Sequence, residues 1–290
     1  MRTCITFVCI ILMVTTAFAQ EFSWQGHRGC RGLLPENSIA AFLKALEYPE
    51  VRTLEMDVVL SGDGKVVVSH EAWMSREICS HPDGRAVEKE EEKSLNLYKM
   101  TLEEIKKFDC GKRGHERFRM QQPMPAFKPQ LSEVVEALRR SAFDFPKLNI
   151  ELKTEGAKFD EIFQPAPAKF VATVLAEIRR LKIEDMVSLQ SFDVRVLREI
   201  KANSDRIPIS LLVENLRGFS WNIKRLGFEP DTYSCHYKLV NKRLVEKCHS
   251  RGIKIVPWTV NEAAEIEKLI AMGVDGIITD YPNLAYKVNK

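Results

Sequence analysis

Residues 53–60 read Thr53-Leu54-Glu55-Met56-Asp57-Val58-Val59-Leu60, and this stretch decides the architecture. Its aliphatic, partly β-branched make-up predicts a strand. Residues two apart share a strand face, so Glu55 and Asp57 point one way while Leu54, Met56 and Val58 point the other. Ser61-Gly62-Asp63-Gly64 is a turn signal, and Gly64–Ser69 follows as a second short extended run. The arrangement returns at Lys147–Lys153 (KLNIELK), where Glu151 and Lys153 share a face.

Outward from these two strands the chain repeats one rhythm: a short β-rich run, then apolar residues at helical spacing. Ile39, Phe42, Leu43 and Leu46 form one such stripe, with Asn37 or Ser38 placed to cap its free N–H groups. Leu131, Val134, Val135 and Leu138 form a second, and Phe170, Val171, Val174, Leu175 and Ile178 a third. Further helices are expected over Val194–Ile200, within Leu216–Leu226, around Leu244–Cys248 before Gly252, and around Ile266–Ile270 before Gly273. The principal strands fall near residues 25, 56, 150, 189, 210, 234, 257 and 278. Strict strand–helix alternation requires parallel strands joined by crossover helices. Eight such units in 290 residues predict an α/β fold of the TIM-type (β/α)₈ barrel class rather than an open doubly wound sheet. No glycine-rich dinucleotide or phosphate-loop motif points elsewhere.

The rhythm breaks once, from about Glu71 to Lys128, as a small insertion after the second strand region. It holds the acidic run Glu88–Lys93 (EKEEEK), a basic stretch over Lys106–Arg119, and a capping-box signature at Thr101–Glu104. The charge runs fit either a solvated surface or a cap over the barrel mouth.

Residues 1–19 stand apart from the fold. Arg2, the apolar run Ile5–Val14 and the small-x-small site Ala17-Phe18-Ala19 read as a cleaved export signal, so the barrel is expected to occupy residues 20–290 in the periplasm or outside the cell. That apolar run is shorter than the ~20 residues a membrane span needs, and no other stretch is long and apolar enough to anchor the chain stably. The formal net charge is only +3. A balance so close to neutral gives no argument for nucleic-acid or membrane-surface binding. Beyond the leader lie Cys30, Cys79, Cys110, Cys235 and Cys248, an odd number, so at least one thiol stays unpaired within a monomer. Cys79 and Cys110 share the long insertion and are a possible pair; all five buried and reduced is the other reading.

Three carboxylates and a lysine that point inward from adjacent strands are costly unless compensated. A hard divalent cation, Mg²⁺ or Ca²⁺, offers that compensation, with Glu55, Asp57 and Glu151 as its oxygen ligands. An ion-pair network of the same residues with Lys153 and no metal is the plainer alternative. Two histidines tilt the choice. His27-Arg28-Gly29 closes the first strand and Ser69-His70 closes the extended run after the second. Both lie at C-terminal strand ends, where barrel active sites assemble. Paired imidazoles can divide the roles of general base and general acid. Arg28 and Lys153 suit phosphate oxygens, one through a planar fork and the other as a point charge.

With these motifs in order, the chain resembles the glycerophosphodiester phosphodiesterase family. The match runs through His27-Arg28-Gly29, Pro35-Glu36-Asn37-Ser38, Glu55-x-Asp57, Asp63-Gly64 and Val66–His70. It continues with Glu151-Leu152-Lys153, Ser191-Phe192-Asp193, Trp258–Asn261 and Gly276–Pro282. The resemblance implies a (β/α)₈ barrel, a divalent cation, and hydrolysis of a small glycerophosphodiester to glycerol 3-phosphate and an alcohol. It implies His27 and His70 as the acid/base pair, Glu55, Asp57 and Glu151 as metal ligands, Arg28 and Lys153 on phosphate, and Trp258 in the pocket wall. One departure stands out, because His70-Glu71 occupies the place of the family's usual His-Asp. Rival readings are a phospholipase of the same superfamily, of sphingomyelinase D or phosphoinositide-specific type, and a non-enzymatic barrel that binds a sugar or lipid head group.

Overall fold

The computed structural model describes residues 22–288. The proposed leader, residues 1–19, lies outside them. Eight parallel strands form the barrel: β1 (Ser23–Gly26), β2 (Val51–Leu60), β4 (Lys147–Leu152), β5 (Val187–Ser191), β6 (Ile209–Val213), β7 (Thr232–Cys235), β8 (Lys254–Ile255) and β9 (Gly276–Thr279). Between β2 and β4, β3 (Val66–Val68) pairs antiparallel with β2 across the turn at residues 61–65. The strand order is β8-β7-β6-β5-β4-β2-β1-β9. Three backbone bonds then link the two ends of the sheet, from Asp275 N to Ile255 O (2.9 Å), Ile278 N to Pro257 O (3.0 Å) and Val260 N to Ile278 O (3.0 Å), leaving a nearly closed cylinder.

The sequence predicts a strand over Lys254–Val260, but regular pairing stops at Ile255. Pro257 has no N–H to give to the ladder. Beyond it the chain is tied by single bonds, Trp258 N to Cys235 O (3.1 Å) and Tyr237 N to Trp258 O (2.9 Å).

Strand parity sorts the side chains as the alternation of residues 53–60 requires. Leu54, Met56 and Val58 on β2, Leu148, Ile150 and Leu152 on β4, and Ile209, Leu211 and Val213 on β6 are buried in the main core beneath the helices. The outer layer includes α1 (Ile39–Ala45), α3 (Leu131–Arg140), α4 (Pro167–Leu181), α5 (Val194–Asn203), α6 (Phe219–Leu226), α7 (Lys242–His249) and α8 (Ala263–Met272). The predicted stripes all face inward, with Phe42, Val134, Leu138, Phe170, Val174 and Ile178 fully or almost fully buried. Ser38 is the cap of α1, accepting from Ala41 N at 3.1 Å. Asn37 is not; its side chain turns into the barrel mouth.

Inside the cylinder the layers are polar. Asn149 Nδ2 donates to Gln25 Oε1 (2.9 Å) and to Gln190 Oε1 (3.1 Å), and Gln190 Nε2 donates to Glu55 Oε1 (3.0 Å). This amide ladder satisfies the buried polar groups under the site and fixes the Glu55 carboxylate from below.

The segment between β3 and α3 has a core of its own. Met74, Ile78, Leu97, Ile105 and Phe108 are buried with Val59 and Val67 from the β2–β3 hairpin. Short α2 (Leu102–Ile105) starts at the predicted capping box, with Thr101 and Glu104 bonded reciprocally. Cys79 and Cys110 form a disulfide; Cys30, Cys235 and Cys248 are buried and free. No helix among the described residues is long and apolar enough to cross a membrane.

Candidate active site

The C-terminal ends of the strands open into a cavity of about 1400 Å³. His27, Arg28, Glu55, His70, Glu151, Lys153 and Trp258 all line it. Asp57, the eighth residue singled out from the sequence, lies just beneath the cavity floor and is 1% exposed.

Glu55 and Asp57 stand two apart on β2, and Asp57 is in register with Glu151 on β4. Parity and register therefore bring the three carboxylates together, with one oxygen of each within 4.8 Å of the others. Arg28 N donates to Glu55 Oε2 at 2.9 Å, and Asn37 Nδ2 donates to Asp57 Oδ2 at 2.9 Å. Lys153 Nζ lies 2.9 Å from Glu151 Oε1 and 3.9 Å from Asp57 Oδ1. Burial, then the charges of Asp57 and Glu151, pushes Glu55 well above the usual carboxylate range. Burial raises Glu151 too. Burial works on Asp57 in the same direction, but Arg28, His70 and Lys153 outweigh it and hold Asp57 well below that range. Three acids crowded this closely repel unless positive charge sits among them. Asp57 Oδ1 and Glu151 Oε2 accept no hydrogen bond from the described residues. An all-oxygen donor set with acceptors to spare fits a hard divalent cation.

Each histidine is oriented by a carboxylate. His27 Nδ1 is 2.6 Å from Asp280 Oδ1, and its Nε2 is 3.9 Å from Glu55 Oε2. Burial, reinforced by Arg31 against the pull of Asp280, lowers His27 to about 4. Asp280 is itself held by Arg31 Nε (2.8 Å) and Asn261 Nδ2 (2.7 Å). His70 Nδ1 is 2.7 Å from Glu71 Oε1. In both pairs the carboxylate engages Nδ1 and fixes the ring, leaving Nε2 as the nitrogen not held by it. The longer Glu71 side chain thus does for His70 what Asp280 does for His27.

Arg28 links these parts. Its φ of 49° is the left-handed region, rare outside glycine and costing about 1–2 kcal/mol. The strain aims its N–H at Glu55 and its guanidinium at Glu36 (2.7 Å) and Asp57 (3.2 Å). The turn also needs glycine on either side. A Cβ on Gly26 would sit 2.2 Å from Gly29 O, and Gly29 has φ +82° against Ala41.

Residues 27–284 match the family described as glycerophosphoryl diester phosphodiesterases. The chain belongs to this family. It is 32% identical over 258 residues to a glycerophosphodiester phosphodiesterase of Caldanaerobacter subterraneus subsp. tengcongensis, a match that covers 88% of this chain and 93% of that one. A crystal structure from Silicibacter pomeroyi, provisionally named a glycerophosphoryl diester phosphodiesterase, superposes with a TM-score of 0.82 at 29% identity, covering 93% of each chain. An Oleispira antarctica phosphodiesterase, solved with its product sn-glycerol-3-phosphate, shares the fold at 23% identity and a TM-score of 0.72, covering 92% of this chain and 97% of that one. The chain is therefore a phosphodiesterase on a nearly closed (β/α)₈ barrel.

The structure of this phosphodiesterase also brings in residues that motif reading did not assign to the site. Asp280 falls within the Gly276–Pro282 motif, and its position just past β9 is the same strand-end signal that marks His27. Gln190, on the inner face of β5, carried no signal, because a lone glutamine has no motif. Phe192 and Trp258 meet edge to face at 5.4 Å and form an aromatic wall with His236. Lys128 is a buried cation whose Nζ donates to Ser69 Oγ at 2.7 Å, just behind His70. From the insertion, residues 75–78, 113–119, 121 and 123 also line the cavity.

Proposed function

We propose that this phosphodiesterase hydrolyses glycerophosphodiesters to sn-glycerol 3-phosphate and an alcohol with a divalent cation, Mg²⁺ or Ca²⁺, held by Glu55, Asp57 and Glu151. The observation that carries the reading is the convergence of those three carboxylates within 4.8 Å beside two carboxylate-oriented imidazoles. When bound, the cation would supply Lewis-acid stabilisation of a nonbridging phosphate oxygen. Arg28 and Lys153 add positive charge on the same side and hold the phosphate in place. One of His27 and His70 takes the proton of the nucleophile and the other gives a proton to the departing alkoxide; where the nucleophile is the substrate's own 2-hydroxyl rather than water, water then opens the resulting cyclic phosphate to glycerol 3-phosphate. Asp280 and Glu71 keep both rings aimed while charge moves on and off them. Trp258 and Phe192 pack against the glycerol backbone, and residues 71–128 cap the mouth.

Hydrolysis of glycerophosphocholine before and after chelation, with Mg²⁺ or Ca²⁺ added back, tests the reading. Loss and recovery of turnover is the expected result; turnover indifferent to chelator would reject the cation. The leader reading, export after cleavage at Ala19, draws support from the Cys79–Cys110 disulfide, since such bonds persist in oxidising compartments.

One observation favours a second reading, action on intact lipid head groups. Leu216 in the loop after β6 is 90% exposed, and Trp221 at the start of α6 is 42% exposed with Arg217 and Arg225 against its ring. An apolar tip flanked by arginines at the active face suits a lipid surface. Parallel assays on glycerophosphocholine and on phosphatidylcholine vesicles separate the two readings.

A further inference from the structure

The cavity is larger than a small glycerophosphodiester requires. At about 1400 Å³ it exceeds the ~300–1,000 Å³ usual for small-molecule sites. Much of its wall comes from the insertion, through residues 75–78 and 113–119, and that wall is rich in guanidinium groups. Arg76, Arg113, Arg117 and Arg119 line it, against three carboxylates, Glu71, Glu77 and Glu116, of which Glu71 is taken up by His70. Arg113 NH1 donates to the carbonyls of Arg76 (2.8 Å) and Cys79 (3.0 Å), which leaves its charge unpaired. Arg117 lies over the Phe118 ring at 5.2 Å. Arg119 has no ion-pair partner among the described residues and lines the cavity. Glu77 faces His115 at 3.6 Å, and Arg76 reaches Glu92 only at 3.9 Å.

The backbone that carries this wall is anchored. The Cys79–Cys110 disulfide and two backbone bonds between Ser80 and Asp109 (2.6 and 3.1 Å) pin the root of the arm. Phe118 is buried between Arg117 and Arg31, and Arg31 in turn holds Asp280. Arg117 is thus tied through Phe118 and Arg31 to the framework that holds His27, and Arg76 follows His70 by six positions in the chain. Guanidinium groups beside a phosphodiester site fit a second anion on the same substrate.

We propose that the wall formed by Arg113, Arg117 and Arg119 is a second anion subsite, and that the preferred substrate is a glycerophosphodiester whose leaving alcohol itself carries a phosphate. This rests on the hydrolase reading above and narrows its substrate class. The scissile phosphate occupies the barrel mouth, and the distal phosphate meets the arginine wall.

The test uses the full chain and two substrates that differ only at the far end: sn-glycero-3-phosphoglycerol, and the same molecule phosphorylated on its terminal hydroxyl. Consumption of each is followed at several salt concentrations. The phosphorylated substrate is expected to show a kcat/KM roughly tenfold or more higher, expressed mainly in KM, as charge-assisted bonds of this kind provide. The preference should shrink as salt rises. The double variant Arg117→Ala/Arg119→Ala, both exposed positions, should lose the preference and keep its turnover of the unphosphorylated substrate. Equal kcat/KM for both substrates in the wild type, or equal loss on both in the double variant, overturns the subsite alone. No turnover of either substrate overturns the hydrolase reading and the subsite with it.

Discussion

Asp280 carries more of the proposed chemistry than its single place in the sequence suggests. It receives Arg31, Asn261 and His27 at once. Burial would raise its carboxyl, but His27 and Arg31 outweigh that and hold it below the ordinary range. A carboxyl depressed by folding stabilises the native state above its unfolded pKa and loses that contribution as pH falls. Wild type is therefore expected to lose stability below about pH 4, and Asp280→Asn to show a flatter acid limb in denaturant melts between pH 5 and 2. An unchanged acid limb would deny Asp280 that role. His27→Ala and His70→Ala are each expected to lower kcat by about 10²–10⁴-fold on glycerophosphocholine, the range typical of a lost general acid or base. The variant that lacks the general acid should recover much of its rate on a p-nitrophenyl diester, whose leaving group needs no proton. Steady-state kinetics on both substrates therefore assigns the two histidines. At this scale the sequence made the titratable groups legible because each sat two residues from another or at a strand end. It did not disclose Gln190, Asn37 as a bond to Asp57, or Lys128, since such roles depend on neighbours distant in the chain.

At the level of elements, β2 does the decisive work, because one ten-residue strand places apolar residues under the helices and two acids in the mouth. Its alternation was readable from residues 53–60 alone, and the other strands and helical stripes followed the same logic. What periodicity missed has a local cause, since Pro257 ended β8 early; of the two cap candidates the left-handed Asn37 (φ 52°) turns away and Ser38 is the cap. Ser38→Ala is expected to cost about 1 kcal/mol in urea unfolding, the usual value of a lost N-cap. The insertion was the least legible element. Its charge runs fit either surface or a cap; part of the basic run, residues 113–119, lines the cavity, while Glu91 of the acidic run pairs with Arg85. The disulfide bounds a 31-residue separation inside this element. Cys110→Ser is expected to destabilise the protein by roughly 2–4 kcal/mol, with thiol reductant producing no further change in the variant. A variant as stable as the oxidised wild type would show that the apolar cluster around Ile105 and Phe108 suffices alone.

Across the whole molecule, the barrel isolates a polar column within an apolar shell. The amide ladder of Gln25, Asn149 and Gln190 supports Glu55 from beneath, and the Arg28 turn presses on it from the side. Glu55 therefore cannot move away from Asp57 and Glu151 without breaking its bonds to Gln190 and Arg28, so it is preorganised for positive charge. The fold class was legible in the count and spacing of strands; the depth of Asp57 and the size of the cavity came from closure of the sheet, which no local pattern encodes. The central claim concerns cation binding itself, and equilibrium titration of the purified chain with Mn²⁺, followed by electron paramagnetic resonance, measures it without reference to turnover. Saturable binding of a single ion per chain is predicted, weakened roughly tenfold or more in Glu55→Gln and Glu151→Gln as ligand charge is removed, and retained in His70→Ala. Binding that is absent in wild type, or equally tight in the two glutamine variants, would contradict the account.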